Sequence, residues 1–376
     1  MKVFNKKLNK FFKNKNMQTE LELFNENLCK ASCPEMVFGE LKGTKDEKLQ
    51  KLKKLYRGFL LKFHSDKHPD PKEIHIANAV TSMLNDFNKE AKKKIEQEIY
   101  GQFNKSATKN PITVFQVGNI EYRIFKHLAE GDFSNVFLGE SQLENGNVEE
   151  VCFKIVNDPG DSDLLQNEAK ILRGIQHKSM QILLNHFMTA DKKVISVFKY
   201  IPGYDFVTLH EKFPHGVPQE HAVWMLDRLL SVLGYVHINK IVHGCIAPSN
   251  IMVVPNTHNT LLLDFVFSIQ NPKPTDKFEG QNDFSAPEVK SGKYRASQQS
   301  DIYALGKCMQ YILGGDITTD EFPNHIDKRI VKFLSEFLIK DPDRRSDDAW
   351  GLWHQLKKLR TEVFGAPSQF LPFNVV

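Results

Sequence analysis

Cysteine is the residue type in this chain with the widest chemical repertoire, because a thiol can form a disulfide, bind zinc or act as a nucleophile. The 376-residue chain has five cysteines, at positions 29, 33, 152, 245 and 308. Cys29 and Cys33 form an i, i+4 pair, but no second pair completes a zinc site, so we expect burial rather than metal binding. So few cysteines, in an odd number, predict a cytoplasmic protein without a disulfide framework.

The most informative run of side chains lies between residues 241 and 266. Residues 243–250 read His-Gly-Cys-Ile-Ala-Pro-Ser-Asn, and residues 261–266 read Leu-Leu-Leu-Asp-Phe-Val. These two segments resemble the catalytic loop and the Asp-Phe-Gly metal-binding turn of the protein-kinase family. The resemblance implies that Asn250 and Asp264 are ligands of Mg²⁺, an ion that prefers hard oxygen donors. It also implies inward-packed, structural roles for His243 and Phe265.

Two positions of the loop depart from the family pattern. Cys245 stands where the family has the aspartate that accepts the substrate hydroxyl proton, and Ala247 stands where it has a lysine that stabilises the transferring phosphate. General-base assistance is worth roughly 10²–10⁴ in rate. A free thiol has a pKa near ~8.5, and nearby phosphates would raise it, so we expect Cys245 to be neutral and a poor substitute. Gly244 replaces the arginine with which family members receive an activating phosphate.

A candidate phosphate-binding loop lies at residues 128–137, which resemble the glycine-rich loop over the ATP phosphates. Glycine is needed there because backbone amides must approach phosphate oxygens closely. Gly131 matches one of the three glycine positions, and Ala129 and Ser134 occupy the other two.

The next candidate pair is a lysine and a glutamate 14 residues apart. Lys154 ends an apolar strand, as the phosphate-contacting lysine of the family does, and Glu168 falls in the following helix. The resemblance implies that Glu168 pairs with Lys154 and holds it in place. It further implies an adenine pocket lined by Val136, Cys152 and Met252.

Three later segments favour protein kinases over small-molecule phosphotransferases. Residues 285–288 resemble the end of an activation segment, residues 300–306 the helix that braces the catalytic loop, and residues 341–345 a late family motif. The resemblance implies a brace at Asp301 and an ion pair between Arg345 and Glu288. Together, these motifs in the family's order predict an α+β, two-lobed protein-kinase-like fold.

The front of the chain resembles a second family. Residues about 36–100 are similar to a J domain, the module of DnaJ-type co-chaperones, at Val37–Leu41 and at Tyr56–Lys67. This resemblance implies an all-α domain with two long antiparallel helices. The alternative is a helical hairpin that serves only for packing or docking.

The J-like motif has two candidate positions. The family carries His-Pro-Asp between its long helices, and His64, Ser65 and Asp66 occupy the aligned place here. Residues 68–70 spell His-Pro-Asp literally, but they lie about one helical turn later. Because the preceding helix cannot keep its register with both positions, we favour His64 and Asp66, and 68–70 stays the alternative.

Helices and strands predicted from apolar spacing must position these motifs. The spacing predicts helices over 18–31, 46–63, 74–100 and 164–175. Strands are expected over 118–156, with an Asn145-Gly146 hairpin turn, and over 194–200. Beyond residue 203 the pattern is mostly helical as far as residue 360.

Charge and composition divide the chain. Residues 1–110 hold 23 Lys+Arg and 14 Asp+Glu, a balance of +9, whereas the rest carries −5. The predicted order is a basic flexible arm (1–17), a J-like domain (18–104), a linker (105–117), two kinase-like lobes (118–200 and 201–363) and a tail (364–376). The arm's lysines at 6, 7, 10, 13 and 15 could contact nucleic acid or an anionic surface, or simply be solvated. No apolar run is long enough for a membrane span.

The favoured function is a kinase-like nucleotide-binding regulatory protein, a pseudokinase, with ATP and Mg²⁺ as cofactors. We expect it to recruit another protein, such as a heat-shock chaperone, through the J-like domain or the kinase-like cleft. The first alternative is a slow or atypical Ser/Thr kinase that transfers the ATP γ-phosphate, since phosphoryl transfer is mostly positioning and electrostatics. The second is a co-chaperone adaptor whose kinase-like part is only a platform.

Overall fold

The chain forms two compact units, residues 1–102 and residues 103–376, in a computed structural model. The structure describes residues 19–31, 33–68, 70–98, 100–101, 110–142, 148–257, 259–273, 282–291, 297–365 and 373–375. The predicted basic arm, the Asn145-Gly146 turn and the first part of the predicted linker lie outside these residues. Among the described residues, no helix has the length and apolarity needed to span a membrane.

Helices build the described part of the first unit: α1 (Glu20–Lys30), α2 (Pro34–Phe38), α3 (Lys45–Phe63) and α4 (Pro71–Glu96). Local chemistry sets where α1 and α3 begin. Thr19 and Glu22 exchange side-chain-to-backbone hydrogen bonds at the start of α1, and Thr44 and Glu47 do the same for α3. Such capping boxes satisfy two of the N–H groups that a helix leaves unpaired at its start.

The helices α3 and α4 pack as an antiparallel hairpin. Leu52, fully buried on α3, shares an apolar cluster with Ala91 and Ile95 of α4. Closer to the connecting turn, the Tyr56 hydroxyl donates a hydrogen bond to the Asn85 side chain. The described part of the first unit is therefore helical, and its assignment as an all-α J-like domain stays a prediction.

The second unit opens with a six-stranded antiparallel sheet in the order β1-β2-β3-β4-β6-β5. Its strands are β1 (Thr113–Val117), β2 (Ile120–Glu130), β3 (Ser134–Gln142), β4 (Val148–Val156), β5 (Leu183–Met188) and β6 (Val194–Lys199), and helix α5 (Ser162–Gly174) lies between β4 and β5 in the chain. The predicted linker ends too late, because its last five residues form β1. The ring of Phe115 packs 5.4 Å from Tyr122 and 5.8 Å from Phe153, between centroids, and so anchors β1 to the sheet.

Gly139 in β3 is required by close packing. A Cβ atom at this position would lie 2.1 Å from the backbone oxygen of Arg123 and 2.5 Å from the Phe153 ring. Any larger residue would push β2 and β3 apart, so glycine is needed here despite its poor strand propensity.

Helices and short strands make up the rest of the second unit. The helices are α6 (Phe206–Lys212), α7 (Gln219–Ile238), α8 (Pro287–Lys290), α9 (Gln298–Ile312), α10 (Lys328–Phe337) and α11 (Ala349–Phe364). The strands are β7 (Tyr204–Asp205), β8 (Ile241–Val242), β9 (Ile251–Val254), β10 (Asn259–Leu262) and β11 (Ile269–Gln270). They pair as β10-β9-β7 and β11-β8. The sequence pattern did not reveal these strands, because two to four residues are too few to establish an alternating period. The predicted order of a sheet-rich lobe and a helical lobe, an α+β fold, is confirmed.

A buried ion pair holds the helical lobe together. Arg345 donates hydrogen bonds to the two carboxylate oxygens of Glu288, at 2.6 and 3.2 Å. Its remaining N–H groups donate to the backbone oxygens of Ile339, Gln299 and Lys340. Both side chains are almost fully buried, so each charge depends on the other.

We predict that Arg345→Met lowers the free energy of unfolding by about 3–5 kcal/mol, because it leaves the Glu288 carboxylate buried without a cation. Urea denaturation of the full chain measures this effect. The matched control is Arg329→Met, which breaks a solvent-exposed pair with Asp327 and should lower the free energy of unfolding far less. Equal losses in the two variants would contradict the prediction.

Candidate active site

A buried lysine between two carboxylates forms the centre of the candidate site. Lys154, on β4, donates hydrogen bonds to Glu168 of α5 at 3.1 Å and to Asp264, two residues after β10, at 2.9 Å. Glu168 is fully buried and also accepts the N–H of Phe265 at 3.0 Å. The contact joins three separate elements, so the sheet-rich lobe and the turn after β10 meet at this ammonium group.

The Lys154 ammonium and the two carboxylates shift one another's pKa values. Burial by itself lowers the pKa of the Lys154 ammonium, but the Asp264 and Glu168 carboxylates outweigh that effect, so the pKa is raised and the lysine is charged. Burial raises the pKa of Asp264, and the Lys154 ammonium more than offsets it, so its pKa is lowered. Burial raises the pKa of Glu168, and the same ammonium opposes that rise. With all three ionised, the cluster carries one excess negative charge.

Asp301 of α9 holds the predicted catalytic loop through hydrogen bonds to its backbone. Its carboxylate accepts the N–H groups of His243 and Gly244, at 2.8 and 2.9 Å. The His243 ring packs 4.6 Å from the ring of Phe265 and hydrogen-bonds the backbone oxygen of Leu263 at 3.0 Å. Burial lowers the pKa of His243, so the ring is neutral and donates this bond from Nε2. Loop and turn thereby become one rigid arrangement.

A backbone hydrogen bond links Asn250 to Leu263, the residue before Asp264. The N–H of Leu263 donates to the Asn250 carbonyl at 2.8 Å, and the Asn250 side-chain NH₂ donates to the Cys245 carbonyl at 2.9 Å. This use of the NH₂ leaves the amide oxygen as the available donor atom for a ligand. An amide oxygen, a carboxylate and an excess negative charge fit a Mg²⁺ ion, which usually takes one or two protein oxygens and completes its shell with water and phosphate.

Cys245 is half-buried, and no basic side chain of the described residues is shown hydrogen-bonded to it. Its sulfur accepts weak hydrogen bonds from Asn250 at 3.8 Å and from Asn282 at 3.7 Å. Burial raises the pKa of its thiol to about 11, with a further contribution from the negative charge of Asp264. The neighbouring His243 does not help, because its Nδ1 accepts the backbone N–H of Cys245. The thiol is therefore neutral at physiological pH, and Ala247 nearby offers only a buried methyl group.

The loop predicted to cover phosphates is a tight turn between β2 and β3. The N–H of Gly131 donates to the Ser134 carbonyl at 3.0 Å. Asn157, after β4, donates from its side chain to the carbonyls of Gly131 and Asp132, at 2.8 and 3.3 Å. At the tip, the Phe133 ring contacts that of Phe267, with centroids 5.6 Å apart. These contacts shape the turn without the two missing glycines.

The residues expected to surround an adenine ring lie on three different strands, β3, β4 and β9. Val136 on β3, Cys152 on β4 and Met252 on β9 are all half-buried. Burial raises the pKa of the Cys152 thiol to about 12, with a smaller contribution from Glu150, so this cysteine behaves as an apolar group. Their predicted role stays a prediction.

Polar side chains missed by the sequence reasoning also contribute to the site. They are Asn157 at the loop, Asn282 beside Cys245, and Gln181 and Asn167 near the turn. Each hydrogen-bonds a residue far away in the chain. No local pattern marks such amides, because their partners are set by tertiary contacts.

The J-like motif lies in the first unit, in the turn between α3 and α4. His64 ends α3, and Ser65 and Asp66 begin a short 3₁₀ turn. The side chains of His64 and Asp66 are 44% and 83% exposed, whereas His68 is only 18% exposed and lies 3.3 Å from Glu73. The first pair is thus accessible to a partner, and the ring at 68 is largely packed.

Comparison with known proteins gives the family. Residues 122–360 match the family described as "Protein kinase domain". The chain is 27% identical over 271 residues to "Serine/threonine-protein kinase D" of Synechocystis sp., covering 63% of this chain and 52% of that protein. It is 28% identical over 229 residues to "Dual specificity protein kinase zak2" of Dictyostelium discoideum, covering 57% of this chain and 34% of that protein. The match to "Maternal embryonic leucine zipper kinase" of Danio rerio is 24% over 252 residues, 60% of this chain and 36% of that protein.

The chain spans about half or less of the length of these relatives, so their full activities are not transferred to it. The matched family nevertheless covers well over half of its 376 residues and includes Lys154, Glu168, Cys245 and Asp264. This chain belongs to the protein kinase family.

Proposed function

We propose that this protein binds ATP with Mg²⁺ and acts mainly as a regulatory, pseudokinase-type member of the kinase family. The protein kinase domain implies ATP and Mg²⁺ use in general. The observation that carries the proposal for this chain is the contrast between the charged Lys154–Glu168–Asp264 cluster and the neutral thiol of Cys245.

The nucleotide side of the site supports binding. Lys154 supplies a fixed positive charge, while Asn250 and Asp264 supply oxygens to a metal ion. When bound, Mg²⁺ would neutralise charge on the phosphates and on the carboxylate cluster, which carries one excess negative charge. These groups are preorganised by buried hydrogen bonds, so little ordering opposes ligand binding.

The hydroxyl side of the site supports weak or absent turnover. A group that accepts a proton from a serine hydroxyl at neutral pH must be ionised or basic there. Cys245 is neither, because its pKa lies near 11. Ala247, in place of a lysine, offers a buried methyl group where a cation would neutralise a transferring phosphate.

A slow Ser/Thr kinase is the second candidate. Relatives named as serine/threonine-protein kinases favour it. Phosphoryl transfer depends mostly on positioning and electrostatic stabilisation, and the Lys154 and Asp264 geometry supports both. We therefore expect any transfer to be limited by the missing carboxylate at 245.

We also propose that the first unit recruits a partner protein as a J-like module. The antiparallel hairpin of α3 and α4 presents His64 and Asp66 in its turn, and α3 carries lysines along its exposed surface. A basic surface favours an acidic partner through electrostatic steering. The chemistry fits the ATPase of a heat-shock chaperone, and a docking hairpin without chaperone action is the other outcome.

We predict that the wild-type chain is stabilised by Mg·ATP, by about 2.7 kcal/mol at an ATP concentration 100 times Kd. Asp264→Asn should abolish the part of this stabilisation that depends on Mg²⁺, because an amide binds the ion less well than a carboxylate. Thermal unfolding with ATP in Mg²⁺ and in EDTA measures both effects. Asp163→Asn, on the exposed face of α5, is the control and should behave as wild type. No stabilisation of the wild type at millimolar ATP would refute nucleotide binding.

We predict that Cys245→Asp raises the rate of phosphate transfer by roughly 10²–10⁴, because it restores a group that is ionised at neutral pH. Transfer of labelled phosphate from ATP to casein measures the rate. Cys245→Ser is the control, since a neutral hydroxyl supplies no base. Because the thiol pKa is about 11, the wild-type rate should show no rise from thiol ionisation between about pH 7 and pH 9. Equal rates in the Asp and Ser variants would mean that a base at 245 is not what limits transfer.

We predict that Asp66→Asn abolishes stimulation of a heat-shock chaperone ATPase by this chain, whereas Asp70→Asn preserves it. The exposed carboxylate of Asp66 is the group placed to meet a partner. Steady-state ATP hydrolysis by the purified chaperone measures the effect. If only Asp70→Asn abolishes the stimulation, the motif lies at residues 68–70. If the wild-type chain does not stimulate the chaperone at all, the helical hairpin serves only for docking.

A further inference from the structure

Gln181 connects the carboxylate of Glu168 to the backbone of Asp264 through its side chain. The residue lies just before β5, and its Nε2 donates a hydrogen bond to Oε1 of Glu168. Its Oε1 accepts the backbone N–H of Asp264 at 3.1 Å. A single amide side chain therefore spans from α5 to the residue expected to bind the metal ion.

The backbone of the same segment fixes where Gln181 lies. The N–H of Gln181 donates to the Leu262 carbonyl at 3.3 Å, and the N–H of Leu262 donates to the Ser179 carbonyl at 2.9 Å. Residues 179–181 thus run alongside the end of β10, two residues before Asp264. Hydrogen bonds therefore hold both the backbone of Gln181 and the amide group of its side chain.

Asp264 needs this support because its backbone is strained. Its φ of 64° lies in the left-handed region, which residues other than glycine rarely adopt. The direction of its carboxylate depends on that conformation, and the N–H bonded to Gln181 belongs to the same residue. Without this hydrogen bond, the turn would be freer to relax toward an ordinary backbone conformation.

Asn167 supports the far side of the same turn. It precedes Glu168 on α5, and its NH₂ group donates to the carbonyls of Val266 and Ser268, at 3.0 and 2.9 Å. The Val266 side chain is buried in an apolar cluster with Val156, Leu165 and Val194. The amides of Gln181 and Asn167 therefore hold the turn to α5 on both sides.

We propose that Gln181 is a positioning residue that, together with Asn167, sets the direction of the Asp264 carboxylate before any ligand binds. The inference rests on the proposed function, since it assigns a residue to the metal side of the same site. Side-chain amides join Glu168, Asp264 and the turn.

The test replaces Gln181 by Met, which has a similar length but makes neither hydrogen bond. Hydrogen exchange of the full chain, without nucleotide and in EDTA, follows peptides that cover residues 262–268. We expect the protected amides of Asp264 and Phe265 to exchange about tenfold faster, as loss of roughly 1.4 kcal/mol of hydrogen-bond free energy implies. Gln166→Met is the matched control, because Gln166 is exposed on α5. If Gln181→Met exchanges as the wild type does in residues 262–268, the proposal is overturned. It is also overturned if hydrogen exchange becomes equally faster throughout residues 103–376, because that would indicate a general packing role.

The second readout is the factor by which Mg²⁺ strengthens ATP binding, measured by calorimetry. In Gln181→Met we expect this factor to fall about tenfold, while the affinity in EDTA stays as in wild type. An unchanged factor would show that Gln181 does not position the carboxylate. If wild type binds no ATP at all, the proposed function fails, and the exchange experiment still decides whether Gln181 holds the turn.

Discussion

The structure of the site depends on one buried ammonium group that lies between two carboxylates. Lys154 could not remain charged at this depth without Glu168 and Asp264, and the two carboxylates would repel each other without Lys154. Breaking a buried pair of this kind is costly, because the remaining charge has no solvent to stabilise it. Strand β4, helix α5 and the end of β10 must therefore stay in one relative arrangement. The hydrogen bonds from Gln181 and from the Phe265 N–H complete that arrangement around Glu168.

The same electrostatics divide the site into two halves. On the nucleotide side, every predicted charged residue lies within hydrogen-bonding distance of another. On the hydroxyl side, Cys245 and Ala247 offer a neutral thiol and a methyl group, although the Asp301 carboxylate holds their loop by accepting the N–H groups of His243 and Gly244. The loop is thus held in place without an ionised group at position 245. This separation is the physical basis for proposing a protein that holds a nucleotide better than it uses it.

Several parts of this arrangement were readable from residue types and spacing. Lys154 and Glu168 are paired in the prediction because an apolar strand and the following helix carry them, as in the family that these segments resemble. The pair of Glu288 and Arg345 is what the resemblance alone implies. Strand β1 is not predicted, since its five residues follow a polar segment. Its residue Phe115 packs against rings on other strands, and the sequence does not show those contacts. Asn157, Gln181 and Asn282 were also missed. A lone amide carries no periodicity, and its hydrogen-bond partner is set only when distant elements meet.

The amino-acid sequence by itself determined the order of the elements, the family motifs and the chemical identity of residue 245. These are properties of residue type and of short-range spacing, which local physics is enough to interpret. Only the tertiary structure decided that burial raises the pKa of the Cys245 thiol to about 11, that Asp264 takes a left-handed backbone conformation, and that Gln181 bridges Glu168 and Asp264. Burial, charge proximity and amide hydrogen bonds act over distances in space, and groups more than 80 residues apart in the chain become neighbours only on folding.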